Sequence, residues 1–308
     1  ASVGCARAQS MSGLLGWRLV MALGASASMV VPRAVVRDLF NERESARMYS
    51  LLMLILGVSP IFAPTIGGQL MGFMGWRGIF WVLAGLGILC ALAVTWALPE
   101  PAKTGAKRAG GGVAMALKTY WRLLSDRRFL GPVLVAGFMV GTIFTYLTGS
   151  AFVLIELHHL TPQQYALAFG FNGTGLILAS QVNRWLVDRY PVRRVLNVAI
   201  ASGVVVGLAL VFAGVTRLGG LPAIMALLFL NLSVAGIISP NIAAIIMAPF
   251  GEIAGSASAL LGTLQFGIGS LAGALVGLLH DGTALPMTAG IAGCAVASLL
   301  AWRMVVRH

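Results

Sequence analysis

The chain has 308 residues, 58% of them hydrophobic and only 10% charged, with a mean hydropathy of +0.92. Soluble globular domains carry about 45–50% apolar and about 25% charged residues, so a single water-facing fold is excluded. Disorder, a collagen-like repeat and a disulfide scaffold are excluded too, because the chain is strongly apolar and its three cysteines, Cys5, Cys90 and Cys294, lie singly in apolar stretches as small buried hydrophobes. The net charge of +12 is spread over short clusters between apolar runs, with eighteen arginines among 21 basic residues. That pattern excludes a nucleic-acid-binding stripe and leaves an all-α polytopic membrane protein.

In chain order, residues 1–9 come first. They are too short to cross about 30 Å of hydrocarbon at about 1.5 Å per residue and have the character of a helix end. With no starting Met, the expectation is a chain truncated at its N-terminus. Apolar runs of spanning length follow at 14–36, 49–70, 77–98, 129–154, 164–187, 195–216, 221–247, 253–279 and 285–304, which makes nine expected spans. The segment 99–128 is rich in Pro, Gly and basic residues and reads as a linker. Within it Val113–Leu124 is amphipathic, carries Trp121 and suits a membrane surface. The expected organisation is therefore 1–98, the linker 99–128, and a six-helix half at 129–308. The 39 glycines suit close helix packing in lipid.

Seventeen of the 21 basic residues fall on one side of this topology, from Arg33 to Arg47, from Lys103 to Arg128, from Arg184 to Arg194, and at Arg303 and Arg307. That side is cytoplasmic by the positive-inside rule, and the C-terminus with it. The loops opposite hold Arg77 and Arg217. No nucleotide-binding P-loop is present, so energy must come from a gradient.

The span at 49–70 carries Gly57, Pro60, Ala63, Pro64, Gly67 and Gly68. Two prolines bend a helix and paired glycines open a packing face. The pattern Ala63-Pro64-x-x-Gly67-Gly68 resembles motif C of the drug:proton antiporters of the major facilitator superfamily. Arg18 through Ser26 resembles the fourth-helix motif B, with Met21 standing where a polar residue is usual. Arg37-Asp38 with Glu42 to Met48, Pro240-Asn241, Gly255 to Ala259 and Gln265 to Gly269 resemble the bicyclomycin-resistance (Bcr/CflA) transporters. Asp188-Arg189 with Arg193-Arg194 resembles a degenerate second-half motif A, in which Asn183 replaces the first Gly and Val192 the second.

The resemblance implies a major facilitator fold with the fourth to twelfth helices present. It implies proton-coupled export of small amphiphilic drugs, bicyclomycin-like or chloramphenicol-like, by alternating access from a bacterial inner membrane. It assigns Arg18 to proton coupling, through an acidic partner on the first helix, and Asp188, Arg189, Arg193 and Arg194 to a cytoplasmic latch. A plain reading stays open beside each: Arg18 as an interfacial anchor, and the loop cluster as a topology signal. The expected partners are the bilayer, the drug and the proton, with no nucleic acid. A monomer is expected, without cofactor or metal.

Polar and adaptable side chains inside spans are the candidates for a substrate cavity: Ser26, Met29, Phe138, Thr142, Tyr146, Asn172, Asn231, Asn241 and Gln265. Each Asn or Gln has an alternative use in bonding a neighbouring helix. Met139 and Thr145 are further candidates of the same kind. A metabolite exporter on the same fold, or a non-transporting fragment, are the alternative functions. An intramembrane enzyme using Ser26 lacks a buried His to activate it.

Overall fold

The structure, a computed structural model, describes residues 1–39, 42–97 and 113–306, all of it helix and short connections. The chain groups into two units, Ala1–Ala109 and Gly110–His308. The first unit contains α1 (Ser2–Arg7), α2 (Met11–Leu39) and α3 (Glu42–Ala97). As one straight rod of 56 residues α3 would reach about 84 Å, far more than a bilayer needs. It breaks at Gly75, where φ is 64° and ψ −178°. A glycine adopts that left-handed φ without a Cβ penalty. The break falls between the expected spans 49–70 and 77–98. Two residues beyond it, Arg77 donates from Nη2 to the Ala8 carbonyl at 3.0 Å, and its guanidinium lies 4.2 Å over the Trp76 ring.

The second unit contains α4 (Val113–Ser125), α5 (Arg127–Ala151), α6 (Pro162–Val187), α7 (Val192–Thr216), α8 (Gly220–Met247), α9 (Ala254–Leu278) and α10 (Leu285–Val306). α5 runs on into a π-helical turn at Phe152–Leu157. Asp126 caps α5 by accepting from the Arg128 backbone N–H at 2.8 Å. Thr161 and Gln164 form a reciprocal capping box on α6. α4 is amphipathic as expected: Leu123 is buried with Tyr120 and Leu124 packed beside it, whereas Leu117 and Trp121 are exposed.

Among the described residues, six helical stretches are long and apolar enough to cross a membrane: Ile66–Trp96, α5 with its π turn, α7, α8, α9 and α10. The other three expected runs, 14–36, 49–70 and 164–187, also fall within helices, α2, α3 and α6. The run at 164–187 is a helix, α6, but Gln163, Gln164, Asn172, Gln181 and Asn183 dilute its apolar character. Several side chains of 14–36, in α2, and most of those of 49–70 lie outside the described residues. Cys90, expected to be buried, is exposed on α3 beside an apolar surface that includes Trp96. A small hydrophobe is as well placed against lipid as in a core.

α5 is the central helix of the second unit, with 56% of its span buried, against 22% for α9. It packs on α8, α9 and α10, while α6 and α7 both pack on α8. Two glycines permit the closest approaches. A Cβ on Gly236 of α8 would overlap the Leu176 backbone carbonyl of α6, and one on Gly207 of α7 would lie 2.9 Å from Cα of Ala292 in α10.

Candidate functional site

Thr142, Tyr146 and Ser150 follow one another on α5 at intervals of four, so they share one face. All three are buried, and polar groups of α6 meet Ser150 and Tyr146. The Ser150 hydroxyl lies 3.1 Å from the Tyr165 hydroxyl of α6. The Tyr146 hydroxyl accepts from Asn172 Nδ2 of α6 at 3.3 Å, and its ring stacks on Phe169 with centroids 5.4 Å apart. Thr142 donates to the Met139 carbonyl at 2.8 Å. It also lines an internal cavity of about 20 Å³ with Asn231 of α8 and Ser298 of α10. That enclosure is far smaller than the roughly 300–1,000 Å³ of a drug pocket.

Asn241 has a different partner. Its Nδ2 donates to Asn183 Oδ1 at 2.6 Å and to the Ile237 carbonyl at 2.9 Å, and Asn183 Nδ2 returns a longer bond of 3.4 Å. Asn183 is the residue standing where the latch-like motif has glycine. It joins α6 to α8 through its side chain. Of the other cavity candidates, Phe138 and Gln265 are half-buried, on α5 and α9. Ser26 is exposed and donates to the Leu23 carbonyl of its own helix at 2.7 Å. The side chain of Met29 lies outside the described residues.

Arg18 is exposed on α2. In the motif on α3, Ala63 is exposed and Gly67 and Gly68 are half-buried, with the side-chain surroundings of Gly57 and Pro64 outside the described residues. No described atom comes within 4 Å of a Cβ added at Gly67. The latch candidates gather at the α6–α7 connection, all of them exposed: Asp188 ends α6, and Arg193 and Arg194 stand in the first turn of α7. The Arg189 guanidinium lies 3.9 Å over the Trp185 ring.

At the opposite end of α6, Glu156, His158, His159, Arg217 and Thr283 line a cavity of about 390 Å³. The π turn delivers Glu156 there, and His159 and Arg217 hold left-handed φ values of 57° and 56°. Burial, and secondarily the neighbouring His159, push the His158 imidazole below its ordinary pKa. Nearby, Asp281 Oδ1 accepts from the Thr283 hydroxyl at 2.7 Å and from the Thr283 N–H at 2.9 Å. Those bonds hold its carboxyl below its ordinary value of 3.8. The stabilisation is therefore complete above that value and lost as pH falls through the lower folded one. Thr283→Val is expected to move the Asp281 midpoint up, part of the way to its ordinary value, in an NMR titration. An unchanged midpoint would leave the hydroxyl bond without effect.

The partnerships of Tyr165, Ser150, Asn183 and Ser298 were not foreseen from the sequence. The available signal was a polar side chain inside an apolar run, the same signal that singled out Asn172 and Asn231.

The sequence profile of the Major Facilitator Superfamily matches residues 1–274. A relative in Bacillus subtilis, named an uncharacterized MFS-type transporter YdgK, is 33% identical over 303 residues, covering 98% of this chain and 75% of its own. A bicyclomycin resistance protein homolog of Haemophilus influenzae is 28% identical, covering 95% of this chain and 73% of its own. The multidrug resistance protein MdtL of Klebsiella pneumoniae is also 28% identical, over 97% of this chain and 74% of its own. Among solved structures, a bacterial homolog of the human lysosomal transporter Spinster, inward-facing and unoccupied, superposes with a TM-score of 0.72 at 16% identity. That match covers 99% of this chain and 81% of the other. The helical, multi-span chain belongs to the major facilitator superfamily. Its relatives and structural neighbours are transporters, which points away from an enzyme.

Proposed function

We propose that the protein exports small amphiphilic drugs in exchange for protons, by alternating access, from a bacterial inner membrane with its C-terminus in the cytoplasm. The observation that carries this reading is the similarity to proteins named for bicyclomycin and multidrug resistance across 95% and 97% of the chain. Transporters of this architecture bind cargo between repeated helical halves and rock about that site. Half-buried Phe138 and Gln265 are the cavity candidates that keep surface for cargo within the second unit, and an aromatic ring with one amide suits varied, mostly apolar molecules. In this reading Arg18 is the coupling charge, a cation that lowers the pKa of a nearby carboxyl group whenever the two approach. Asp188 with Arg189, Arg193 and Arg194 acts as the latch.

Cells of a drug-sensitive bacterium expressing the protein at its native length are expected to hold less chloramphenicol-like drug than controls, and a protonophore is expected to restore the content. Arg18→Ala is expected to abolish the protonophore-sensitive part, with Arg18→Lys retaining some of it. Drug content that ignores both expression and protonophore would exclude drug–proton exchange. If the same cells instead export amino acids or sulfur compounds, the protein is a metabolite exporter.

A further inference from the structure

The internal cavity between α5, α7, α8 and α10 holds a polar group with nothing to bond. Asn231 is 4% exposed, and its Nδ2 is buried without a hydrogen-bond partner. The cavity beside it measures about 20 Å³ and is lined by Met139, Ile200, Ala235 and Ile238 together with Thr142 and Ser298. A buried amide left unsatisfied costs about 1–3 kcal/mol. A cavity needs only about 10–15 Å³, and two to four polar partners, to hold one water. The volume meets the first condition, and Thr142 and Ser298 line the space beside Asn231 as the candidate partners.

The geometry points to a binding site for a single resident water, held by Asn231, Thr142 and Ser298 at the junction of these four helices. The chemistry selects water over the other small occupants. The orphan is an N–H donor and no carboxylate lines the cavity, so a metal cation finds neither the charge nor the oxygen set it needs. An anion would be buried without a countercharge. Dioxygen or a hydrocarbon would leave the amide unbonded. Water accepts from Asn231 Nδ2 while donating to an acceptor. The Thr142 oxygen has free lone pairs, since its own proton goes to Met139. The Ser298 hydroxyl contributes a second acceptor, since its own proton points to the Val135 carbonyl at 3.5 Å. A water bound here would occupy the hydrogen-bonding groups of Thr142 and Asn231.

The test is an experimental map of the full-length protein in lipid nanodiscs at a resolution that shows ordered water. One spherical peak is expected within about 2.7–3.2 Å of both the Asn231 amide and the Thr142 hydroxyl. An empty cavity, or an Asn231 amide bonded to protein, would overturn the proposal. A second map, of Asn231→Leu, keeps nearly the same side-chain volume without the amide. Loss of the peak in that variant supports the assignment, and a peak that survives unchanged refutes the role of Asn231. If Asn231→Leu does not fold, Ser298→Ala removes one weak partner and is expected to retain the peak; its disappearance there would contradict the assigned order of partners.

Discussion

Gly236→Val is expected to unfold much of the protein or to block its accumulation in the membrane. The Cβ of any side chain at this position overlaps the Leu176 carbonyl, a backbone atom held within α6. A flexible side chain could rotate away, but a helix carbonyl cannot move without the helix. Overpacking of this kind costs about 1–3 kcal/mol where side chains can yield, and more where backbone must shift. Stability margins of proteins are only about 5–15 kcal/mol, so a large part would be lost. The loss would be read as a lower melting temperature in detergent, or as a smaller monodisperse peak for the expressed protein. Gly293→Ala is the matched control. It lies within α10 with no described atom within 4 Å of the added carbon, and it is expected to melt no lower than the parent. Equal behaviour of the two variants would mean that α6 and α8 do not approach as described.

Asn241→Leu is expected to destabilise the second unit by about 1–3 kcal/mol, because it strands the Asn183 amide in a buried site. The double variant Asn183→Leu with Asn241→Leu is expected to recover most of that loss, since neither amide is then left unpaired. The contrast matters because the bond itself is modest. Interhelical side-chain bonds in membranes average about 0.6 kcal/mol, so the penalty comes mainly from the orphaned partner. A double-mutant cycle read by thermal melting would decide. Strict additivity of the two substitutions would show that the amides do not interact.

The sequence made the helical, membrane-spanning character legible because apolar runs of spanning length need no knowledge of neighbours. It also located the break near residue 75, where Arg77 interrupts hydrophobicity, and the amphipathic face of α4. What it did not carry was rotation. α8 is apolar almost all round, because lipid and protein core both accept Leu and Ile, so hydropathy does not say which side faces α6. Nothing in the sequence announces the pairing of Asn183 with Asn241, 58 positions apart. Gly236, where α8 comes against the Leu176 carbonyl of α6, likewise carries no mark of its neighbour in the sequence. Of the polar candidates, Thr142, Tyr146, Asn172, Asn231 and Asn241 are buried, whereas Ser26 is exposed and Gln265 half-buried, and the pairings of Tyr146 with Asn172 and of Asn241 with Asn183 were visible only in the structure.

Among the described residues of the second unit, the buried polar side chains Thr142, Thr145, Ser150, Asn172, Asn183, Asn231, Asn241, Thr288 and Ser298 are all neutral. One elementary charge crossing a potential of 100 mV exchanges about 2.3 kcal/mol with the field. An interior of uncharged amides and hydroxyls exchanges almost nothing. The electrical gradient across the membrane therefore has no handle on these buried groups. Any dependence of transport on voltage, as distinct from pH difference, has to enter through charges carried elsewhere in the protein or by the cargo itself.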